Sequence, residues 1–220
     1  MNSPSGEKSQ TNVELKVRPF QSTAIEAPRG SRDFQWPQSF TDHSSLPLDL
    51  EIGCGVGWHP IQYASAHPER RLIAIEHTRI KFAGFQLRAQ NHPALTNLLP
   101  VHTDAVRWVS HMIKSASIER CFILYPNPEP KSANKRWIRM PFMHCLLETL
   151  MPGGELILAT NEAWYMQEIL KWAKEFWHLE IVQERSFNQK TSPFSVARTH
   201  FEKKYLGRGQ TCFDVRLRKI

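Results

Sequence analysis

The sequence has few cysteines, no long apolar run and no paired metal-ligand motif. Its four cysteines (Cys54, Cys121, Cys145 and Cys212) are widely spaced and form no Cys-x-x-Cys pair, so neither a zinc site nor a disulfide framework is expected. No apolar stretch approaches the ~20 residues of a membrane span, and the N-terminus lacks the basic-then-apolar layout of a signal peptide. We therefore expect a cytoplasmic protein with free thiols, no metal and no membrane partner.

A modest excess of cations is the main feature of the composition. The 220 residues include 28 Lys and Arg against 21 Asp and Glu, a formal charge of +7, and 41% are hydrophobic. This length and hydrophobic content suit one α/β domain with a tail or a small insertion. The charge is compatible with a nucleic-acid partner, although solubility alone also explains it.

The first 45 residues differ in character from the rest. Residues 1–11 are polar and are predicted to be disordered. From there to about Ser45, cations are mixed with aromatic residues such as Phe34 and Trp36, and prolines argue against a long helix. We interpret residues 1–45 as a partly disordered arm packed across a domain of residues 46–220. An arm that contacts RNA is the alternative.

The stretch from Leu48 to Trp58 has the clearest functional pattern. An apolar run ends in Glu51, and Gly53, Gly55 and Gly57 follow at alternate positions before a helical spacing begins. Strand, glycine-rich turn and helix is the layout in which backbone N–H groups approach a nucleotide closely. Pro60 departs from the dinucleotide spacing, and an acid at the strand end suits a positively charged ligand such as S-adenosyl-L-methionine. A tight turn without a ligand is the alternative.

Short apolar runs alternate with helical segments after Leu46, which predicts βαβ units and a parallel sheet. The predicted strands are residues 48–52, 71–76, 98–101, 120–125 and 155–160, and the predicted helices are 61–66, 80–90, 106–116, 140–150 and 164–176. Residues 151–154 are predicted to stop the fourth of these helices. Residues 179–183 and 211–218 alternate apolar and polar side chains and are predicted to pair antiparallel at one sheet edge. Residues 186–209 between them are predicted to form a long loop.

Acids follow two further strands. Glu76 ends the second strand, where an acid can accept hydrogen bonds from ribose hydroxyls. Asp104 and Ala105 follow the third strand and are expected near the adenine rim of the same pocket. Together with Glu51, these acids at successive strand ends favour one shared pocket over three unrelated surface positions.

A stiff, basic segment follows the fourth strand. It reads Pro126-Asn127-Pro128-Glu129-Pro130-Lys131, and its alternating prolines predict an extended loop at the ligand-binding edge of the sheet. Four cations then surround Trp137, which suggests a platform for phosphates and bases. A basic helix start on the surface is the alternative.

With these pieces placed, the chain resembles the bacterial tRNA (guanine-N7-)-methyltransferase family from about Leu48 to its C-terminus. The specific features are the Pro-x-Pro-x-Pro-Lys loop, the Pro-Gly-Gly before the fifth strand and the Thr-x-Phe-Glu stretch before the last strand. The resemblance implies a Rossmann-like class I methyltransferase fold, with a seven-stranded, mostly parallel sheet, an antiparallel last strand and helices on both faces. It also implies S-adenosyl-L-methionine as cofactor and RNA, namely tRNA, as partner, with oligomeric state open between monomer and homodimer.

The resemblance assigns roles residue by residue. Cofactor binding would fall to Glu51, Gly53, Gly55, Gly57, Glu76, Asp104 and Ala105. Substrate binding would fall to Lys131, Asn161, Thr199 and Glu202. The catalytic position of the family, an aspartate in the proline loop, corresponds to Asn127.

Two departures keep the acceptor open. Asn127 and Asn161 stand where the family has acids, and an amide offers one acceptor oxygen and one donor group. We expect guanine to be held less tightly, by roughly 1–3 kcal/mol for a lost charge-assisted bond. Three interpretations follow: methylation of guanine N7 in tRNA, methylation of another nucleobase or a protein amide, or a catalytically weak paralogue that binds RNA or cofactor.

Overall fold

The computed structural model describes residues 15–220. Its strands are β1 (Leu48–Ile52), β2 (Arg71–Glu76), β3 (Leu98–His102), β4 (Ile118–Leu124), β5 (Leu150–Thr160), β6 (Glu180–Phe187) and β7 (Cys212–Arg218). Its α-helices are α1 (Gln38–Thr41), α2 (Trp58–Ala66), α3 (Arg79–Gln90), α4 (Ala105–Met112), α5 (Phe142–Thr149), α6 (Ala163–Glu175) and α7 (His200–Gly207). Short 3-10 helices lie at Ser22–Ala24, Ser31–Asp33, Ala133–Lys135 and Trp137–Arg139.

The strands form one sheet in the order β3-β2-β1-β4-β5-β7-β6. The pairs from β3 to β5 are parallel, whereas β7 runs antiparallel to both β5 and β6. The predicted seven-stranded sheet with an antiparallel last strand is therefore confirmed, as is the antiparallel pairing of β6 with β7 at one edge. Because the parallel strands share one direction, their carboxyl ends lie together along one edge of the sheet.

Alternate residues of each central strand face opposite layers, so helices cover both faces of the sheet. On one face, Leu50, Ile73 and Leu158 pack with α4, α5 and α6 in the main core. On the other face, Leu72 and Ala74 pack beneath α2 and α3, and β4 and β5 pack beneath α7. The strands are buried on both sides, which explains their nearly continuous apolar sequences.

The described part of the arm packs across the main core. Phe20 contacts Phe142 of α5 edge-on at 5.8 Å, and Phe34 contacts Trp108 of α4 at 4.8 Å. Phe40 is 2% exposed. Residues of the segment 15–45 thus pack against the core, while the disorder predicted for residues 1–11 lies outside the described residues.

Two local predictions are wrong. The segment 186–209 is not one long loop, because β6 extends to Phe187 and α7 begins at His200. Residues 151–154 do not separate α5 from β5, because β5 already begins at Leu150, which pairs with Ile118. Gly154 permits this course, since a Cβ there would lie 2.9 Å from the Met151 carbonyl oxygen. None of the helices between residues 15 and 220 is long and apolar enough to cross a membrane.

Candidate active site

The carboxyl ends of β1 and β2 are joined through the turn that follows β1. Gly53 N–H donates to the Ile75 carbonyl at 2.8 Å, and Cys54 N–H donates to the same oxygen at 3.1 Å. The turn therefore starts as a continuation of the sheet. This bonding brings the two acids that end these strands, Glu51 and Glu76, to one edge, and both are nearly fully buried.

The three glycines of this turn all have left-handed backbones, but they meet different demands. Their φ angles are +76° at Gly53, +62° at Gly55 and +78° at Gly57. A Cβ on Gly53 or Gly55 would meet no protein atom within 4 Å, whereas a Cβ on Gly57 would overlap the Phe85 ring of α3. Gly53 and Gly55 thus leave open space for a ligand, and Gly57 lets α3 pack against the turn.

Glu76 organises the turn. Its Oε2 accepts from Gly55 N–H at 2.9 Å, and its Oε1 accepts from Thr78 N–H at 2.7 Å. Each carboxylate oxygen has two acceptor sites, so the side chain retains capacity for further donors such as hydroxyls. The acid predicted to bind ribose also holds the glycine turn in shape.

Glu51 is paired with a residue to which the sequence assigned no role. His59 Nδ1, in the first turn of α2, lies 2.7 Å from Glu51 Oε2, and both side chains are buried. Between the two acids, burial and the nearby Glu51 raise the pKa of the Cys54 thiol well above its usual value. Cys54 therefore stays protonated and is not a nucleophile.

Two cavities meet at Gly53. The first, of about 280 Å³, is called here the β3-side cavity and is lined by Gly53, Asp104, Ala105, Asn127, Glu129 and Trp137 among others. The second, of about 300 Å³, is called the α7-side cavity and is lined by Glu51, Gly53, Gly55, Lys81, Arg88 and Thr199 among others. Five of the predicted cofactor residues line these cavities: Asp104 and Ala105 the β3-side cavity, Glu51 and Gly55 the α7-side cavity, and Gly53 both. Gly57 and Glu76 line neither, and Glu76 reaches the turn through its bond to Gly55 N–H.

Asp104 has a local structural duty as well. It is the N-cap of α4, and its Oδ1 accepts from Arg107 N–H at 3.0 Å. Its side chain is exposed at the cavity, and Ala105 beside it is buried. One oxygen of Asp104 therefore accepts a hydrogen bond from the helix, and the other has no hydrogen-bond partner within residues 15–220.

The proline loop is stiff and clamped. Arg136 donates to the carbonyls of Glu129 and Pro130 at 3.2 and 3.1 Å, and it binds both oxygens of Glu168 on α6 at 2.7 and 3.0 Å. Its guanidinium also lies 4.9 Å from the centre of the Trp164 ring. Arg136 is thus committed to the fold. Of the four cations around Trp137, only the two lysines are fully exposed.

The candidate substrate residues of the strand ends lie at different depths. Asn127 is exposed and donates from Nδ2 to Glu129 Oε1 at 2.9 Å. Asn161 follows β5 and donates to Glu162 Oε1 at 3.1 Å. Lys131 is exposed in the turn after Pro130 and does not line either cavity.

Thr199 and Glu202 form the start of α7. Thr199 is the N-cap and accepts from Glu202 N–H at 3.0 Å. Glu202 is fully buried and receives Tyr125 O–H at 2.7 Å and Arg198 Nη2 at 2.7 Å. Burial and the neighbouring Glu202 carboxylate raise the pKa of Tyr125 far above its usual value. Thr199 lines the α7-side cavity, whereas the carboxylate of Glu202 holds the helix in place from below.

Sequence reasoning missed the residues that fasten α7 over the cavity. Trp58 donates from Nε1 to the Ala197 carbonyl at 3.2 Å, and its ring lies 4.4 Å from that of His200. A signal for α7 was present, because Ser/Thr-x-x-Glu is the pattern of a capping box. No comparable local signal pointed to His59.

A larger cavity, of about 490 Å³, lies on the α2 face away from the glycine turn. Its guanidinium groups are largely committed: Arg185 binds Asp214 through two hydrogen bonds of 2.8 and 2.7 Å, and Arg198 reaches both Asp214 and Glu202. Neither the glycines nor the strand-end acids Glu51 and Glu76 line it. The strand-end cavities are therefore the better candidate for the active site.

Comparisons with known proteins give the same picture. A family model described as "Putative methyltransferase" matches residues 45–215. A tRNA (guanine-N(7)-)-methyltransferase of Neisseria gonorrhoeae is 30% identical and covers 80% of this chain and 74% of that protein. The corresponding protein of Nitrosomonas eutropha is 34% identical over 53% of each chain. The chain spans 53% and 63% of the Nitrosomonas eutropha and Sodalis glossinidius relatives.

Solved structures show the fold. The 16S rRNA methyltransferase KamB aligns with a TM-score of 0.58 at 16% identity, covering 84% of this chain and 95% of that one. A 16S rRNA (adenine(1408)-N(1))-methyltransferase solved with its cosubstrate aligns with the same TM-score at 14% identity, covering 85% and 92%. Because the family model spans most of the sequence and the Neisseria relative is 30% identical along most of its own length, the chain belongs to the tRNA (guanine-N7-)-methyltransferase family, as a divergent member.

Proposed function

We propose that this protein transfers the methyl group of S-adenosyl-L-methionine to N7 of a guanine in tRNA. The observation that carries the proposal is the pair of cavities that meet at Gly53, one of them lined by the buried Glu51, on a turn held by the buried Glu76. Family membership supports this reaction, and the cavities offer a place for it. We propose the cytoplasm as its location because that is where such a tRNA substrate would be met.

The described residues fit the proposed cofactor. The space that a side chain would fill at Gly53 and Gly55 is free of protein atoms, so a ligand can approach the backbone closely. Glu51 and Glu76 offer negative charge to an ammonium or sulfonium group and acceptors to hydroxyls. Lys81 and Arg88 on the α7 side offer cations to a carboxylate. The seven predicted cofactor residues remain our proposal for this site, with Gly57 acting through its packing on Phe85.

The proposed reaction needs no proton transfer by the protein before the methyl group moves. When bound, S-adenosyl-L-methionine supplies an electrophilic methyl group, and guanine N7 offers a lone pair without a proton to remove. The chain's task is therefore alignment and exclusion of water rather than general-base catalysis. We assign Asn127 at the β3-side cavity and Asn161 at the end of β5 to positioning the base, and the start of α7 to covering the α7 side.

The other substrate residues receive more indirect roles. Lys131 is exposed beyond the cavities and is placed to meet a phosphate. Thr199 faces the α7-side cavity, whereas Glu202 acts by fixing Arg198 and α7 because its carboxylate is fully buried. We propose residues 46–220 as the catalytic domain and residues 1–45 as an N-terminal arm, of which residues 15–45 pack on that domain.

A second acceptor is favoured by one observation. Both asparagines at the strand ends already donate to a neighbouring glutamate, so their remaining groups differ from those of a free carboxylate. Another nucleobase or an amide would then be the acceptor, with the same cofactor site.

The test is methyl transfer from labelled S-adenosyl-L-methionine to bulk tRNA that lacks N7-methylguanosine, followed by digestion to nucleosides and mass spectrometry. We expect N7-methylguanosine. A labelled product of different mass and retention would support the second acceptor, and cofactor binding without transfer to any RNA would contradict both. Binding to tRNA should weaken steeply as salt rises, because contacts to phosphates release counterions; a flat response would remove RNA from the partners.

A further inference from the structure

We infer that Glu129 supplies the carboxylate that selects guanine, accepting hydrogen bonds from the N1–H and 2-amino groups at the edge opposite N7. The inference rests on the proposed function and adds a residue that determines its specificity. It comes from the geometry of the proline loop, where Glu129 stands two residues after Asn127.

Glu129 is held in an uncommon conformation at the cavity. It lines the β3-side cavity together with Asn127 and is half-buried. Its φ is +47°, in the left-handed region that few residues other than glycine occupy. Such backbone strain persists where the surroundings impose it and is typical of functional sites. The turn directs the Glu129 side chain back towards Asn127 rather than onward along the chain.

The Asn127 amide orients this carboxylate. Nδ2 of Asn127 donates to Glu129 Oε1 at 2.9 Å, while Glu129 N–H points to Asn127 Oδ1 at 3.4 Å. Both polar ends of the amide therefore face Glu129, and Asn127 positions the base through this carboxylate. Oε2 of Glu129 has no hydrogen-bond partner within residues 15–220, and Oε1 uses one of its two acceptor sites on Asn127. Both oxygens therefore keep capacity for a donor of the ligand.

The loop that carries Glu129 is anchored from behind. Arg136 binds the carbonyl oxygens of Glu129 and Pro130, and Glu168 of α6 fixes the guanidinium in turn. Prolines on both sides of Glu129 further restrict the backbone. A recognition group held in this way loses little entropy when it binds, which is the condition for a specific contact.

Guanine is the base that fits an acceptor-only group. An ionised carboxylate offers two oxygens and no donor, and guanine presents two adjacent donors, N1–H and the 2-amino group. Adenine presents the N1 lone pair at the same edge and would be repelled. Because that edge lies across the ring from N7, holding it leaves N7 free. Among the other acids at the strand ends, Glu51 is engaged by His59 and Glu76 by two backbone amides. Asp104 keeps one oxygen without a partner in the same cavity, and the proposed function assigns it to the cofactor.

The first test compares Glu129→Gln with Glu184→Gln, which alters an exposed carboxylate on the edge strand β6. We expect kcat/KM for tRNA to fall about 10- to 150-fold in Glu129→Gln, the worth of a hydrogen bond to a charged group, and to stay unchanged in Glu184→Gln. The Kd for S-adenosyl-L-methionine should stay within about threefold, because the contact is to the base. A loss confined to cofactor affinity would overturn the inference and assign the carboxylate to the cofactor.

The second test removes from the substrate the 2-amino group that would donate to Glu129. In tRNA whose mapped target guanosine is replaced by inosine, the 2-amino group is absent while N1–H and N7 remain. The replacement should cost the parent enzyme about tenfold or more in kcat/KM and cost Glu129→Gln about threefold or less. Equal costs in both would overturn the inference while leaving the proposed function intact. Absence of N7-methylguanosine from the parent enzyme would instead overturn the proposed function, and this inference with it.

Discussion

Replacing Gly57 by alanine tests whether the third glycine of the turn serves packing. A Cβ at this position would lie 2.6 Å from Cγ of Phe85 and would overlap the ring edge, and the Phe85 ring is fully buried, so it has no room to withdraw. The left-handed backbone, with φ of +78°, adds about 1–2 kcal/mol for a residue with a Cβ. Overpacking adds about 1–3 kcal/mol, so Gly57→Ala should lose about 2–5 kcal/mol of unfolding free energy.

Calorimetry and urea denaturation measure that loss directly. For a chain of this size, about 2–4 °C of Tm corresponds to 1 kcal/mol, so a Tm decrease of about 4–20 °C is expected. The matched control is Gly53→Ala, which shares the left-handed backbone but meets no protein atom within 4 Å. It should lose only about 1–2 kcal/mol of stability, yet weaken cofactor binding more strongly because its Cβ projects into the cavities.

A double-mutant cycle identifies the clash as the cause. Phe85→Leu removes the ring edge that the new Cβ would meet, so the combined variant should be more stable than the sum of the two single changes by about 1 kcal/mol or more. A Gly57→Ala protein that melts within about 1 °C of the parent would refute the packing argument. So would a strictly additive cycle.

Three further predictions concern charged groups. Arg70→Met should cost about 3–5 kcal/mol of unfolding free energy, measured in urea, because it leaves the fully buried Asp49 without its charged partner. The two Asp49 oxygens bind Arg70 at 2.6 and 2.7 Å. Adding Asp49→Leu should recover most of the lost stability. The pKa of His200, followed by NMR, should lie below its usual value of 6.5 because partial burial first, and then Arg88 and Lys203, disfavour its charged form. The stability linked to His200 is present above the unfolded pKa and is lost as pH falls from that value through the lower folded pKa, and Arg88→Gln should raise the folded pKa. Arg136→Lys cannot keep all four hydrogen bonds of the clamp, so KM for tRNA should rise about tenfold with cofactor Kd unchanged; an unaltered KM would contradict the clamp.

Local signals were enough for most of the fold. The strands from β1 to β5 are apolar runs of strand length, and their periodicity needs only neighbouring residues to be read. Positions such as Leu72 and Ile73 both face packed helices, which is why the run does not alternate. The helix α7 was missed because it is short and polar, and its capping-box residues were interpreted through the resemblance as substrate contacts.

For the candidate site, local signals predicted the positions of the acids but not their hydrogen-bond partners. The acids at the ends of β1, β2 and β3 were predictable because parallel strands end at one edge whatever the details of packing. The pairings of those acids were not predictable. Glu51 with His59, and Glu202 with Tyr125 across 77 positions, depend on how α2 and α7 lie on the sheet.

Composition and pattern alone therefore determined the parallel sheet, the glycine turn and the edge that carries the candidate site, since each depends on backbone preferences and hydrophobic periodicity over a few residues. The tertiary structure decided which charges are free to act. Arg136, read from the sequence as a phosphate contact, is bound to Glu168 on another helix, while Glu129 keeps an oxygen facing the cavity. Side-chain partners are chosen by proximity in three dimensions, and a linear sequence does not state that proximity.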